Sequence, residues 1–312
     1  MSATVSDKTL SKSSFYSKFN GYKDLMKLRL SSLVVLSAFF GYYIAGGDVK
    51  SLELIYLLAG GVLITGSSNG FNQIWEKDSD KLMERTKNRP LPTQVLSLKE
   101  AVFFNLIIGL LGLYLLYSIN LKSVVLGLIA MILYTIVYTP LKKITPFAVF
   151  VGAIPGSIPP LLGYVAFKND FDLTSGILFL VQFFWQFPHF WALAWRLDDD
   201  YKKAGFRLLP SGEKDKKSAF QIMLYSAFLV PVSMLPWAAE ITGCPIPQSD
   251  SGWIESLSCN WSLYFGIVIS LLMYYPAVKL YFTLDAKYAS TLMFYSFVYL
   301  PLIFTIYCFD LI

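Results

Sequence analysis

The sequence predicts an all-α, polytopic membrane protein with nine transmembrane helices, and three observations support this fold class. Of the 312 residues, 55% are hydrophobic and only 15% are charged, whereas soluble domains carry about 25% charged residues. The apolar residues are grouped into blocks of about 20, the length that a helix needs to cross a bilayer. The alternating ten-residue strands that a membrane barrel needs are absent from the sequence.

Nine apolar segments are separated by polar or charged connections. Residues 1–28 are polar and lack the apolar stretch of a signal peptide, so we expect the first segment to be a retained helix. The chain therefore divides into a cytoplasmic N-terminal tail, 1–28, and one membrane domain, 29–312. The predicted spans lie at 29–46, 52–74, 101–118, 121–139, 147–167, 174–197, 218–239, 262–284 and 290–309.

The distribution of lysine and arginine orients these spans. With the N-terminus in the cytoplasm, 23 of the 26 Lys and Arg residues fall on the cytoplasmic side, and only Lys50, Lys122 and Lys168 lie outside. This asymmetry follows the positive-inside rule, and an odd number of spans places the C-terminus outside. Asp7 and Asp24 argue against a mitochondrial transit peptide, so a bacterial inner membrane is favoured over a mitochondrial one.

Two of the three cysteines could be bridged. Cys244 and Cys259 both lie in the connection 240–261, which the topology places outside, so they are a candidate disulfide in an oxidising compartment. Two free thiols are the alternative. Cys308 lies in the last span, where packing is its expected role.

The end of the second span carries the first concentration of polar residues. Asn72, Glu76 and Asp80 are spaced four residues apart, so on a helix they drift by only about 40° per step and form one stripe. Such oxygen donors suit Mg²⁺, which also accepts phosphate oxygens. Acidic residues that are followed closely by basic residues suit a diphosphate that is bridged by a metal ion. The alternative is a solvated helix end with local ion pairs. The basic residues downstream are Lys81, Arg85, Lys87 and Arg89.

The sixth span carries the second concentration. Five of its polar residues project onto one face of an ideal helix, and polar residues inside a membrane usually face a bundle interior or a cavity. One of them is the only histidine of the chain, and aromatic residues such as Trp185 surround it, which suits a flat porphyrin. Packing roles for the histidine and the aromatic residues are the alternative. The five residues are Gln182, Gln186, His189, Arg196 and Asp200.

Acid again precedes base at the end of this span, where three aspartates at 198–200 come before basic residues at 202, 203 and 207. A cavity between the two acidic ends would hold a cation and an anionic ligand. Lys142 and Lys143, in the turn after the fourth span, either reach the same anion or act only as positive-inside anchors. The fifth span contains six glycines and prolines, so we expect it to be bent or partly unwound.

Six stretches, in this order, carry a family resemblance. They are Asn72-Gln73-x-x-Glu76-x-x-x-Asp80-x-x-Met83-x-Arg85-Thr86-x-x-Arg89-Pro90-Leu91-Pro92, Lys142-Lys143-x-Thr145-Pro146, Pro159-Pro160-Leu161-x-Gly163, Trp185-Gln186-x-Pro188-His189-Phe190, Asp199-Asp200-Tyr201-x-x-Ala204-Gly205 and Leu209-Pro210. Together they resemble the UbiA-type intramembrane prenyltransferases and, within them, the branch that farnesylates haem. The resemblance implies a nine-helix bundle around a central cavity that is open to the lipid and capped by cytoplasmic loops.

Two departures from the wider superfamily bear on metal binding. Gln73 and Glu76 stand where aspartate is common, and Arg196 stands four residues before Asp200, where the superfamily has a first aspartate. These features are similar to the haem branch, but they leave one carboxylate fewer. The resemblance therefore implies one Mg²⁺ ion and leaves a second ion open.

The pattern and the resemblance together assign roles to individual side chains. We expect the diphosphate to be bound by five basic residues, which are Arg85, Arg89, Lys143, Arg196 and Lys203. The expected haem contacts are His189, Gln186 and Trp185, and His189 is also a candidate base. The expected Mg²⁺ ligands are Asn72, Glu76, Asp80 and Asp200, and Asp199 is expected to support them in catalysis.

The resemblance implies that a farnesyl group passes from farnesyl diphosphate to a vinyl group of haem B, with addition of water, to give haem O. The expected partners are these substrates, membrane lipid and, as candidates, haem A synthase or the assembly of terminal oxidases; nucleic acid is not expected. One alternative is prenylation of an aromatic ring, as in a quinone precursor or chlorophyllide, and the segment 185–189 argues against it. Another is a transporter, which the clustering of acidic residues at one surface disfavours.

Overall fold

The computed structural model describes residues 16–239 and 261–310, and within these ranges the chain forms helices and no strand. A helical segment at 16–26 precedes the first numbered helix, and α4 contains a π-helical stretch at Leu133–Tyr138. The long helices are α1 Leu28–Ile44, α2 Leu52–Asp80, α3 Leu98–Tyr117, α4 Leu121–Leu141, α5 Ala148–Lys168, α6 Leu173–Lys203, α7 Lys216–Ser233, α8 Trp261–Thr283 and α9 Ala286–Asp310.

Eight helices in the described residues are long and apolar enough to cross a membrane, the first of them counted together with the segment 16–26. The prediction of an all-α, polytopic membrane protein is therefore confirmed, but the count of nine spans is not. The helix that falls short is α7, which begins with two lysines, contains Pro231 and is followed by a separate turn of helix at Leu235–Ala238. The predicted span 218–239 is thus divided into two helical pieces, and neither is among the eight helices that are long and apolar enough in the described residues.

Glycines bring α1 and α5 into backbone contact. A Cβ atom on Gly41 of α1 would stand 2.0 Å from the carbonyl oxygen of Pro160 in α5. In the same way, a Cβ atom on Gly163 of α5 would stand 1.9 Å from the carbonyl oxygen of Ala38. Small residues at such crossings allow membrane helices to pack closely. The two glycines therefore fix the position of α5, which also packs along α6.

α5 is helical throughout its length, so the predicted unwinding of the fifth span does not occur. Pro160 has no N–H group and leaves the carbonyl of Gly156, one turn earlier, without its helical donor. The side chain of Gln182 in α6 donates to this carbonyl at 2.6 Å. Gln186, one turn further along α6, donates to the carbonyl of Ala153 at 2.9 Å. Side chains of α6 therefore satisfy the backbone of α5, as backbone buried in a membrane requires.

The helical segment 16–26 lies within the predicted tail and packs against the polar end of α2. Leu25 is buried in an apolar cluster with Leu96, and the side chain of Gln73 in α2 donates to the Leu25 carbonyl at 2.8 Å. The segment ends at Lys27, whose φ of 48° is left-handed, a conformation that residues other than glycine rarely adopt. This sharp turn separates the segment from α1 and holds Lys27 beside the end of α2.

Candidate active site

The end of α2 is buried although it carries two carboxylates. Asp80 is the last residue of the helix and is fully buried, and both of its carboxylate oxygens accept hydrogen bonds from Nη1 of Arg89 at 2.8 Å. The hydroxyl group of Thr86 donates to the Asp80 carbonyl at 2.9 Å. The connection after α2 therefore turns back on the helix that it leaves. This turn places the guanidinium group of Arg89 against the carboxylate of Asp80, nine residues earlier in the chain.

Glu76, one turn earlier in α2, is also buried and forms an ion pair with Lys142 from the turn after α4. The Lys142 ammonium lies 4.9 Å from the ring centroid of Tyr138 and 5.3 Å from that of Phe206. The backbone N–H group of Arg207 donates to the Lys142 carbonyl at 3.4 Å. This ion pair therefore lies where α2 and α4 meet the connection that follows α6.

Asn72 faces the same side of α2 as the two carboxylates. Its side-chain amide donates to the hydroxyl group of Thr139 at 3.1 Å, and that hydroxyl group donates to the carbonyl of Tyr134 at 2.8 Å. Tyr134 belongs to the π-helical stretch of α4, and such wide turns occur frequently at functional sites. All three residues of the predicted stripe thus have partners outside α2.

Lys27 adds a third cation beside the two ion pairs. Its ammonium group interacts electrostatically with Glu76, Asp80, Arg89 and Lys142. None of the ion pairs within 4 Å that the described residues form includes Lys27. These five side chains, which we call the α2 cluster, comprise three basic groups and two carboxylates. Basic groups therefore outnumber the carboxylates, which suits the binding of an anion.

The acidic end of α6 is built from local contacts. Asp198 pairs with the lysine four residues further along at 2.8 Å, and Asp200 pairs with Lys203 at 3.3 Å. The side chain of Asp199 is 87% exposed and lies 3.8 Å from Lys214. Pairs between residues three or four apart on a solvated helix end are the alternative that the sequence allowed for an acidic run.

Asp200 is the residue of this run that faces the connection after α2. The backbone N–H groups of Glu84 and Arg85 are directed at its carboxylate. The Arg85 side chain donates to the hydroxyl group of Tyr201 at 3.0 Å, and its guanidinium carbon lies 4.9 Å from the centre of the tyrosine ring. The structure thus brings the predicted residues Arg85 and Asp200 to the same place, whereas Asp199 points to solvent.

The polar stripe of α6 faces two different neighbours. Gln186 donates to the Ser157 hydroxyl of α5 at 2.8 Å. His189 lies on the other side, where its Nδ1 is 2.7 Å from the Ser296 hydroxyl of α9. Trp185 stacks on His189 with a centroid distance of 4.6 Å and donates to the Ser296 carbonyl at 2.8 Å. Of the three predicted haem contacts, two therefore share the α9 side and Gln186 faces α5.

Three of the predicted diphosphate ligands make their contacts elsewhere than in the α2 cluster. Arg196 donates to the sulfur of Met293 in α9 at 3.2 Å, and Lys203 forms its local ion pair on α6. Lys143 is exposed, and its neighbour Lys142 occupies the buried position. The basic residues that the structure places at the end of α2 are therefore those of the connection after α2, together with Lys142 and Lys27.

Sequence reasoning does not single out Lys27 or choose Lys142 over Lys143. A signal for Lys142 exists, because Tyr138 precedes it by one helical turn and can cover a buried ammonium group. Lys27 has no such signal, since its left-handed turn contains neither the glycine nor the asparagine that usually marks one.

The donor set at the end of α2 has the chemistry of a magnesium site. Within the described ranges, no group of three His, Cys, Asp or Glu side chains is close enough to hold a metal by itself. Mg²⁺ usually takes only one or two carboxylates and completes its shell with water and phosphate oxygens. Glu76 and Asp80 are two such carboxylates on one face of α2, with Asn72 beside them, and each is paired with a cation in this structure.

The candidate disulfide lies in the connection before α8. Cys244 and Cys259 fall outside the described residues, so the bridge between them stays a prediction. Cys308 is a free thiol that is partly buried in α9, which agrees with the packing role expected for it.

The fold corresponds to that of a known class of membrane enzymes. Residues 34–300 match the UbiA prenyltransferase family, and the chain belongs to that family. The structure is similar to a digeranylgeranylglyceryl phosphate synthase, with a TM-score of 0.75, 20% identity and coverage of 94% of this chain and 98% of that one. It is also similar to a UbiA homologue from Archaeoglobus fulgidus bound to DMAPP and Mg²⁺, with a TM-score of 0.60, 16% identity and coverage of 90% and 99%.

The relatives at higher identity carry one common name, protoheme IX farnesyltransferase. That of Flavobacterium psychrophilum is 45% identical over 296 residues, which cover 94% of each chain. That of Christiangramia forsetii is 42% identical and covers 93% of this chain and 92% of its own. That of Cytophaga hutchinsonii is 40% identical and covers 92% and 96%.

Proposed function

We propose that this chain transfers the farnesyl group of farnesyl diphosphate to a vinyl group of haem B and adds water, giving haem O. The observation that carries the proposal is the α2 cluster, in which buried carboxylates and three cations meet at one end of a membrane bundle. Where water is excluded, such groups stabilise the charge that develops on a leaving group. The choice of haem as the acceptor is supported by relatives named protoheme IX farnesyltransferase at 40–45% identity.

Magnesium would be held by Asn72, Glu76, Asp80 and Asp200, with Asp199 in support. A bound Mg²⁺ ion supplies positive charge to the diphosphate oxygens. We propose one ion, because the α2 cluster offers only two buried carboxylates. A second ion is the open alternative, and it would rely on Asp200 and on oxygens of the substrate.

The cations of the cluster act on the departing diphosphate. Arg89 and Lys142 are held by carboxylates before any substrate binds, so they stand in position without a large rearrangement. Once those carboxylates share a bound cation, both side chains can donate to diphosphate oxygens instead. Arg85 extends this positive surface on the side of α6. Lys143 and Lys203 are exposed and are proposed to contact the diphosphate as it enters.

The acceptor chemistry follows from the cation that the departing diphosphate leaves behind. Ionisation gives an allylic farnesyl cation, and the electrons of a haem vinyl group attack its terminal carbon. Water then captures the new cation on the haem side chain and releases one proton, which gives the hydroxyl group. His189 and Trp185 are proposed to orient the haem, and His189 is also the candidate that accepts the proton. Gln186 of α6 is proposed to support the wall of this site through its hydrogen bonds to α5.

The setting of the reaction follows from the charge distribution. We place this multi-pass protein in a bacterial inner membrane, with the N-terminus in the cytoplasm and the C-terminus outside, because nearly all Lys and Arg residues fall on one side of the spans. Haem O is a precursor for haem–copper oxidases, so haem A synthase or oxidase assembly is the proposed destination of the product.

The assay is direct. Purified protein is incubated with haem B, farnesyl diphosphate and Mg²⁺, and the products are separated and weighed by mass spectrometry. We expect the mass of haem B plus one farnesyl group and one hydroxyl group, and no product when a chelator removes Mg²⁺. Turnover of a phenolic acceptor without turnover of haem would instead support the prenylation of an aromatic ring.

A further inference from the structure

Arg196 is a cation without an anionic partner among the residues that the structure describes. Its guanidinium group lies 3.2 Å from the sulfur of Met293 and 5.7 Å from the ring centre of Phe294, both in α9. A thioether is only a weak acceptor, and a phenyl ring attracts a cation without neutralising it. The side chain is exposed, so most of its five N–H donors remain available. The planar guanidinium group can form two parallel hydrogen bonds with a carboxylate.

His189 lies on the same side of α6 as Arg196. Their separation of seven positions corresponds to about 10 Å along the helix axis and to nearly two full turns. His189 Nδ1 is engaged with Ser296, and no described residue hydrogen-bonds to Nε2. Trp185 stacks on the imidazole ring, and Phe297 meets it edge-on with a centroid distance of 4.9 Å. The ring is therefore held in a fixed orientation with one nitrogen left for a ligand.

The part of α9 that faces these two residues is aromatic and open. Phe294, beneath Arg196, is 59% exposed, and Phe297, beside His189, is 50% exposed. One helical turn separates the two phenylalanines, and each of them contacts one member of the polar pair on α6. We call these four residues the α6–α9 strip. It presents a cation at one end, an imidazole ring at the other and flat apolar surface between them.

We propose that the α6–α9 strip binds the porphyrin acceptor, with Arg196 donating to a propionate carboxylate and His189 facing the iron. This assignment rests on the proposed function. A haem has its two carboxylates on one edge, its iron at the centre and an apolar body, and the separation along α6 is comparable to that between the iron and a propionate. Anchoring the carboxylate edge at Arg196 would fix which edge of the ring, and hence which vinyl group, is turned toward the farnesyl chain.

This role differs from the one that the sequence suggests for Arg196. The sequence places it among the diphosphate ligands, because it precedes Asp200 by one helical turn. In the structure its side chain extends to α9, while the α2 cluster has three cations of its own. A change at Arg196 should therefore affect the haem and leave the KM for farnesyl diphosphate within about twofold, as expected for a surface charge outside that site.

The test compares haem B with its dimethyl ester, in which both propionates are neutral. Equilibrium binding is followed by haem absorbance for the wild-type protein, Arg196→Gln and Arg196→Lys. We expect the wild-type protein to prefer haem B over the ester by about 10- to 100-fold, the effect of one hydrogen bond to a charged group. Arg196→Gln should bind both compounds with the same weakened affinity, and Arg196→Lys should recover part of the preference.

Lys287→Gln is the matched control, because Lys287 is an exposed cation at the start of α9 and should leave the preference unchanged. Equal binding of haem B and the ester by the wild-type protein would overturn the proposal, and so would an undiminished preference in Arg196→Gln. The outcome for the proposed function is read separately from product formation. A protein that shows the Arg196-dependent preference but makes no farnesylated haem would contradict that function and leave the binding site standing.

Discussion

The two acidic helix ends of this protein have similar sequences and different structures. At the end of α2, Glu76 and Asp80 are 5% and 0% exposed, and their cationic partners come from other segments. At the end of α6, the partners of Asp198 and Asp200 lie three or four residues along the same helix. Asp199 between them is 87% exposed. The carboxylates of the first end are paired by the tertiary fold, whereas those of the second end pair with lysines of their own helix or lie in solvent, and only Asp198 among them is buried.

The difference has energetic consequences. Exposed ion pairs contribute about 0–1 kcal/mol, because water and salt screen them. Removing one partner of a buried pair costs roughly 3–5 kcal/mol, because the remaining charge is left in a poorly solvated place. Arg89 is 20% exposed, so the lower part of that range applies to its pair with Asp80. Substitutions at the two ends should therefore separate clearly in both activity and stability.

The largest effect is expected for Asp80→Asn. The substitution keeps the shape of the side chain, but it removes the charge that holds Arg89 and that would bind a cation. Turnover should fall by about 10²- to 10³-fold, the effect of losing one preorganised electrostatic group. The initial rate of haem O formation measures this, and gel filtration checks the fold. Asp199→Asn is the matched control at the α6 end, because that side chain is 87% exposed, and it should keep its rate within about twofold. Similar losses in Asp80→Asn and Asp199→Asn would contradict the difference between the two ends.

The next effect separates two adjacent lysines. Lys142→Met should lower turnover by about 100-fold, because it removes a buried cation and leaves Glu76 without its partner. Lys143→Met removes an exposed charge and should change the rate by less than about threefold. Steady-state rates of the two variants, measured side by side, test this order. A larger loss at Lys143 would show that the turn after α4 rearranges when substrate binds.

A smaller effect is expected within the aspartate run of α6. The carboxylate of Asp200 faces the backbone N–H groups of Glu84 and Arg85, so Asp200→Asn should lower turnover by about tenfold, the size of one contact to a charged group. Asp199→Asn should lower it by no more than about twofold, since that side chain is in solvent. The Mg²⁺ dependence of both rates measures the difference. Equal sensitivity of the two variants would indicate that Asp199 also contributes to metal binding.

The smallest effect is expected at Lys27. Lys27→Gln should raise the KM for farnesyl diphosphate by about three- to tenfold with little change in kcat, because it removes a nearby charge and no direct carboxylate contact. Added salt should reduce the difference from the wild-type protein by screening the charge. Lys23→Gln, on the exposed side of the segment 16–26, serves as the control. An unchanged KM in Lys27→Gln would remove Lys27 from the site.

Much of the fold follows from the lengths of the apolar blocks, but tertiary contacts decide the exceptions. The segment 16–26 is short and charged, and its packing depends on Gln73 and on distant apolar residues such as Leu96. α7 is not among the eight spanning helices, because it begins with two lysines and ends at Ser233. Pro160 does not interrupt α5, because the Gln182 side chain of α6 supplies the donor that the proline lacks. Helical periodicity contains none of this information.

The same limit applies to the site. The period of α2 predicts the common face of Asn72, Glu76 and Asp80, because helix geometry alone sets it. The period of α6 cannot say which neighbour each side chain meets, so Gln186 and His189 share a projected face but contact different helices. The direction in which the side chain of a turn residue points depends on the segments that pack over the turn. For this reason the sequence favours Lys143 as a diphosphate ligand, whereas the lysine that the fold buries in this turn is Lys142.

The difference between the two acidic ends can be tested most directly by calorimetric titration with Mg²⁺ and an unreactive thiolo analogue of farnesyl diphosphate. The wild-type protein is compared with Glu76→Gln and Asp199→Asn, each of which removes one carboxylate charge. We predict that Glu76→Gln weakens binding by at least tenfold, whereas Asp199→Asn binds within about twofold of the wild-type protein. Equal affinities in the two variants would contradict the assignment of the diphosphate site to the end of α2.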